Sequence, residues 1–176
     1  CNFGPYKSDA FFQIYNKIFQ KSRFICFRDQ HSYLLFSNHD NVHYAPDIVF
    51  NIDKSKCEEP KVYNYVLISV TDISKDNANK AESIKEYISK HISLINEIIK
   101  NGEDVVLFSF CKDQDASIIN RIYEKCLNKD KIHIIHYPDI TIEESLGLFK
   151  YCNSIVATRY HALILSLIYQ KKIYMI

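Results

Sequence analysis

A chain of 176 residues that is 47% hydrophobic can bury a real core, which excludes an intrinsically disordered tail. Lys and Arg number 22 against 21 Asp and Glu, a net charge of +1, so no global field draws the chain to nucleic acid or another polyanion. Only three glycines occur, Gly4, Gly102 and Gly147. They are too scattered for a dinucleotide fingerprint or a P-loop, and any phosphate site must be built otherwise.

From Ser8 to Lys21, apolar residues at Phe11, Phe12, Tyr15, Ile18 and Phe19 recur at helical spacing behind a Ser8 cap. A short strand is predicted at Phe24 to Phe27, a helix from Arg28-Asp29 through Leu35, and a strand at Asp47 to Phe50 after Pro46. Two or three strands and one amphipathic helix do not complete a domain. The first 52 residues are therefore expected to be the end of a larger half, 53–61 a charged, proline-ended linker, and 62–176 most of a second domain.

Beyond the linker the predicted order alternates. A strand at Tyr65 to Val70 precedes a helix over 78–100, and a strand at Asp104 to Phe110 precedes a helix over 115–127. A strand at Lys131 to His136 and a helix over Ile142 to Lys150 follow. The strand Ser154 to Ala157, a helix Arg159 to Tyr169 and a terminal strand from Lys172 close the sequence. This βαβα alternation predicts an α/β fold with a Rossmann-like parallel sheet covered by helices on both faces. The chain begins at Cys1 and stops inside a strand-like run, and the expectation is a segment of a longer protein.

Six cysteines, Cys1, Cys26, Cys57, Cys111, Cys126 and Cys152, form no C-x-x-C pair and follow no recognisable secretory signal. Neither a zinc site nor a disulfide framework is indicated, and a reducing cytoplasm is the expected setting. The longest apolar run, Ala162 to Tyr169, is interrupted by Ser166 and falls short of the roughly 20 residues that span a bilayer. No transmembrane segment is expected.

Ligands of open parallel sheets collect outside the carboxyl ends of the strands. Arg28, Asp29 and Ser32 follow the first strand, Thr71 and Asp72 the second, and Cys111, Lys112, Asp113 and Asp115 the third. Asp139 follows His136, and Thr158, Arg159 and His161 follow Ala157. The last cluster is the richest. Thr158 can cap the helix, whose first amides and dipole favour an anion. A guanidinium can grip a carboxylate or phosphate at two points, and an imidazole two residues on can carry a proton near neutral pH. The competing reading is a structural ion pair for Arg159 and a core position for His161. Asp115 reads as an N-cap, and Thr71 and Asp115 as possible acceptor or cleft contacts. Arg28, Thr71, Asp115, Arg159 and His161 are expected to approach one cleft. His133 and His136 face opposite sides of a strand by parity, which argues against a shared metal, and no metal site is expected. No G-x-S-x-G elbow is present, and Cys111 lacks a neighbouring histidine.

Two stretches carry a resemblance. One is Arg28-Asp29-x-x-Ser32 followed by Asn41-Val42-x-x-Ala45-Pro46-Asp47-Ile48-Val49-Phe50. The other runs from Ala157-Thr158-Arg159-Tyr160-His161 to Leu167. Together they resemble the polysaccharide pyruvyl transferase family. Asn2-Phe3-Gly4-Pro5 resembles a loop of a bacterial branch of that family, and Phe110 through Asp115 its strand-loop before an aspartate. The resemblance implies a truncated two-domain architecture like that of the B-type glycosyltransferases. It also implies transfer of an enolpyruvyl group from phosphoenolpyruvate to two hydroxyls of a sugar of a cell-surface polysaccharide or exopolysaccharide, forming a pyruvate ketal. Carried over residue by residue, Arg159 binds the donor with Arg28 and Thr158, His161 is the general acid, and Asp29 is a second catalytic candidate. No cofactor is implied beyond the donor substrate. The implied setting is cytoplasmic, with room for a peripheral place at the inner face of the membrane, and the acceptor is a glycan, free or lipid-linked. One departure stands out: many members carry an arginine shortly after the strand where this chain has Ser69-Val70-Thr71. Thr71 cannot supply that charge, so either another cation such as Lys112 serves or the donor differs. A nucleotide-sugar glycosyltransferase and a catalytically silent binding domain are the alternatives.

Overall fold

The computed structural model describes residues 3, 4, 6, 8–74 and 81–175. The chain divides into two compact units, Cys1–Ile52 and Asp53–Ile176.

In the first unit, helix α1 (Asp9–Lys21) starts where the Ser8 hydroxyl accepts the Phe11 N–H at 3.3 Å. Phe12, Tyr15 and Phe19 share one face of this helix and pack against a small core of Phe3, Phe27, Phe36 and Val42. Strand β1 (Ile25–Phe27), helix α2 (Gln30–Phe36) and strand β2 (Val42–Tyr44) form a βαβ unit with two parallel strands. The strand expected at Asp47 to Phe50 is instead a 3₁₀ turn, Ile48–Asn51. The Asp47 carboxylate accepts the Val49 N–H at 3.1 Å and pairs with Arg28. Such a local side-chain bond offers the backbone an alternative to strand pairing, and pairing moves to the β-branched Val42 upstream.

The second unit alternates strand and helix throughout. Its elements are β3 (Tyr65–Ser69), α3 (Ala81–Lys100), β4 (Asp104–Ser109), α4 (Lys112–Tyr123), β5 (Ile132–His136), α5 (Ile142–Tyr151), β6 (Ser154–Ala157), α6 (Tyr160–Ile168) and β7 (Lys172–Met175). The expected beginning of α3 near residue 78 lies outside the described residues. All five strands are parallel, in the order β5-β4-β3-β6-β7.

Both faces of the sheet are covered, and side-chain alternation sorts the residues between them. Val66, Ile68, Val105 and Leu107 meet Ile88, Ile95 and Ile98 of α3 and Ile118, Ile119 and Ile122 of α4. On the opposite face the Phe108 ring makes an edge contact with Phe149 of α5, and the buried Tyr65 hydroxyl donates to the Leu148 carbonyl at 2.8 Å. Burial pushes the Tyr65 phenol well above its ordinary pKa, so it stays a donor. Tyr65→Phe in the full-length protein is expected to cost about 1 kcal/mol. A lower urea midpoint at unchanged slope checks this, and an unchanged midpoint contradicts it.

Helix α5 opens on a capping box: the Thr141 hydroxyl accepts the Glu144 N–H at 3.1 Å, and the Glu144 carboxylate accepts the Thr141 N–H at 2.7 Å. Residues 53–61, the expected linker, belong to the second unit and run against this helix. The Glu58 N–H donates to the Glu143 carbonyl at 3.0 Å, and the Lys150 ammonium donates to the Cys57 sulfur at 3.2 Å. Gly147 makes the approach possible, because a Cβ there would lie 1.7 Å from the Glu58 carbonyl oxygen.

Candidate active site

In the second unit the chain leaves β3 toward β4 on one side, and β6 pairs with the other side of β3. The carboxyl ends of β3 and β6 therefore flank the topological switch point, where the two loops diverge and a crevice opens.

The loops there are tied together by hydroxyls. The Thr158 N–H donates to the Ser69 hydroxyl at 2.9 Å, and the Thr158 hydroxyl donates to the Ser69 carbonyl at 2.5 Å. The Thr71 and Thr158 hydroxyls are 3.2 Å apart. Thr158 therefore does not cap α6 as its sequence position suggested, because its side chain is turned onto β3. Arg159 holds the cap position without a side-chain cap bond. The first amides of α6 gain no neutralising side chain from their own cap, and the positive end of the helix keeps its attraction for an anion.

Asp115 is not an N-cap either. Helix α4 begins at Lys112 behind Cys111, which makes no side-chain cap bond, and Asp115 sits one turn inside with no exposed surface. Both its oxygens accept from Nη2 of Arg159, at 2.7 and 2.8 Å, and Oδ1 also accepts the Asp72 N–H at 3.0 Å. A buried carboxylate needs such partners, and the guanidinium supplies them. The Arg159 side chain stays 26% exposed. His161, two residues on, is exposed and lies with its ring centroid 6.4 Å from that of Phe110. Its exposure removes the core-histidine reading.

Tyr87 completes the arrangement and was not singled out from sequence. Reaching from α3, its hydroxyl accepts the Thr71 N–H at 3.3 Å, and burial pushes its phenol above the ordinary value despite its bonds to Thr71 and Thr158. One turn on, the buried His91 ring lies tilted against that of Tyr87 with centroids 4.1 Å apart, and Nδ1 meets the Tyr87 carbonyl at 2.8 Å. Burial holds the His91 imidazole below its usual pKa. The only sequence signal was two ring residues at i and i+4 on an amphipathic helix, a pattern that ordinary core packing also produces.

A second polar group lies at the carboxyl ends of β4 and β5. Ser109 Oγ and His136 Nδ1 are 2.8 Å apart, and Lys112 pairs with Asp139 at 2.5 Å. Burial, then the charge of Lys112, lowers the His136 pKa. His133 instead bonds Asp104 at 2.9 Å, at the amino end of β4.

Thus Thr71, Asp115, Thr158 and Arg159 come together, with His161 in the first turn of α6. Arg28 and Asp29 belong to the first unit, where each has a local partner. Arg28 pairs with Asp47. Asp29 caps α2 by accepting the Ser32 N–H at 2.8 Å, and that bond holds its carboxyl below the usual range. Its other oxygen is buried without a hydrogen-bond partner among the described residues.

The profile of the polysaccharide pyruvyl transferase family matches residues 1–176, the whole chain. The chain belongs to that family. Both stretches that carried the sequence resemblance lie inside the match. No curated protein sequence matches the chain. Among solved structures, TarM aligns with a TM-score of 0.52 at 10% identity, covering 99% of this chain and 34% of that one. The UDP-GlcNAc 2-epimerase of Methanocaldococcus jannaschii, solved with UDP-GlcNAc and UDP, aligns with a TM-score of 0.55 at 12% identity, covering 88% of this chain and 45% of that one. At such identities the likeness is one of fold, an α/β architecture of the B-type glycosyltransferase and epimerase kind. The chain spans less than half the length of either structure. No helix among the described residues is long and apolar enough to cross a membrane.

Proposed function

We propose that the chain carries the donor-binding half of an enzyme that transfers the pyruvyl group of phosphoenolpyruvate to two hydroxyls of a polysaccharide sugar, as a cyclic ketal. The observation that carries the reading is Arg159, anchored at the switch point by a buried carboxylate, with His161 beside it at the start of α6. A donor bearing a carboxylate and a phosphate needs a fixed cation and a positive helix end. The family match supports the pyruvyl group as the cargo.

In this reaction a proton adds to the methylene carbon of the donor and the central carbon becomes electrophilic. A first sugar hydroxyl bonds to that carbon and gives up its proton. The second hydroxyl bonds to the same carbon as the carbon–oxygen bond to phosphate breaks, and its proton leaves with the phosphate. His161 is assigned the methylene protonation and Arg159 the donor anion, with Thr158 fixing the loop that presents them. Asp29, held ionised by its cap bond, suits a base for a hydroxyl better than an acid. Phosphoenolpyruvate is a cytoplasmic metabolite, and the reaction is placed there.

Phosphate release by the full-length protein, with phosphoenolpyruvate and a galactose- or mannose-type acceptor, tests the reading. Arg159→Lys keeps the charge but loses the planar guanidinium that Asp115 holds by Nη2, so donor affinity is expected to fall roughly 10- to 100-fold by calorimetry. Binding of a uridine or guanosine diphosphate sugar with no binding of phosphoenolpyruvate would replace this reading by glycosyl transfer.

A further inference from the structure

We infer that Asp115 is a positioning residue for Arg159: it holds the guanidinium by one nitrogen and leaves the exposed part of the side chain to an anionic donor, and it takes no part in binding the acceptor. This inference rests on the proposed pyruvyl transfer.

The argument starts from how the ion pair is made. A guanidinium carries N–H donors on three nitrogens, and a carboxylate matching it side-on engages two of them. Here both carboxylate oxygens converge on Nη2 alone, at 2.7 and 2.8 Å. Nε is buried and, among the described residues, has no hydrogen-bond partner. The pair is thus end-on, and the Nε and Nη1 donors are not consumed by it. A buried pair built only for stability would gain from the second nitrogen, because an unpaired buried N–H is costly.

Asp115 itself has nothing left for a sugar. It has no exposed surface, Oδ1 also accepts the Asp72 N–H at 3.0 Å, and its place one turn inside α4 fixes it on a rigid element. The Asp72 side chain in turn accepts the Ser74 N–H at 2.8 Å. Asp115 therefore links the loops after β3 and β6 to the start of α4 and sets where the guanidinium stands.

The test uses the full-length protein as wild type, Asp115→Asn, Arg159→Gln and the double variant, each checked for folding by circular dichroism. Calorimetry is run with phosphoenolpyruvate and separately with inorganic phosphate, and kinetics with varied donor and acceptor. Asp115→Asn is expected to weaken both anions roughly 10- to 100-fold, with acceptor KM unchanged and kcat at saturating donor within a few fold. In the Arg159→Gln background it should cost nothing further, because it acts only through Arg159. Multiplying losses, or a raised acceptor KM with donor affinity intact, overturns the inference. If Asp115→Asn does not fold, Asp115→Glu decides: it keeps the ion pair but shifts the guanidinium by one methylene, and wild-type anion affinity there overturns the inference. A wild type that binds phosphate but not phosphoenolpyruvate removes the pyruvyl reading, and a loss of phosphate affinity in Asp115→Asn still supports positioning. A wild type that binds neither anion overturns both.

Discussion

Replacing His161 by alanine in the full-length enzyme is expected to cut turnover roughly 100- to 10,000-fold while leaving donor affinity within a few fold. A general acid acts mainly in the transition state, so its loss reads in kcat and not in binding. The position favours a clean experiment. His161 is exposed in the first turn of α6, and the packing of that helix is carried by Ala162, Ile164, Leu165 and Ile168, which are buried. Truncating the imidazole removes little buried surface, and the variant should melt within a few degrees of wild type. Phosphate release under saturating donor is the measurement. Near-full turnover would show that the histidine is not the acid and would move the search to other residues of the full-length protein.

The second large effect is on stability. Gly147→Ala would ordinarily stabilise a helix by about 1 kcal/mol, because alanine is the better helix former. Here the sign is expected to reverse. The new Cβ would lie 1.7 Å from the oxygen and 2.9 Å from the carbon of the Glu58 carbonyl. Both are backbone atoms, tethered by the Glu58–Glu143 hydrogen bond, so no side chain can rotate away to relieve the overlap. A cost of about 3 kcal/mol follows, at the upper end of ordinary overpacking. It corresponds to a fall in Tm of roughly 6–12 °C for a domain of this size. A rise in Tm would show that the segment carrying Glu58 is free to lift off α5.

Most of the second unit was legible because each strand is a short apolar run and each helix a 3.6-residue pattern. The run Ser154 to Ala157 and the helix from Ile142 were read to within a residue. Errors arose where one side chain decided the outcome. Asp47 looked like the start of a strand, but its carboxylate serves Arg28 and the Val49 amide. Asp115 looked like a cap because Asp before Ala-Ser-Ile-Ile is a common helix start. The partner that places it inside the helix lies 44 positions away, and no local pattern reports that distance. Thr158 failed as a cap for the same reason, its hydroxyl being claimed by β3. Gly147 was visible as a glycine, but the backbone pressed against it is 89 positions upstream. The placing of Arg159 and His161 at the start of α6 was legible because their spacing after a strand is itself the signal. Tyr87 was missed because nothing in its own helix distinguishes a buried phenol that serves a loop from one that only packs.

The bonds between Ser69 and Thr158 join residues 89 positions apart, whereas β3 and β4 pair across the much shorter crossover through α3. Loop-closure entropy must be met before such a distant contact gives anything back. A half-sheet of β3, β4 and β5 holds much of the core on the α3 and α4 face but not the polar cluster, since Thr158 and Arg159 meet Ser69 and Asp115 only where β6 pairs with β3. The cluster therefore depends on the longer-range of the two pairings that β3 makes.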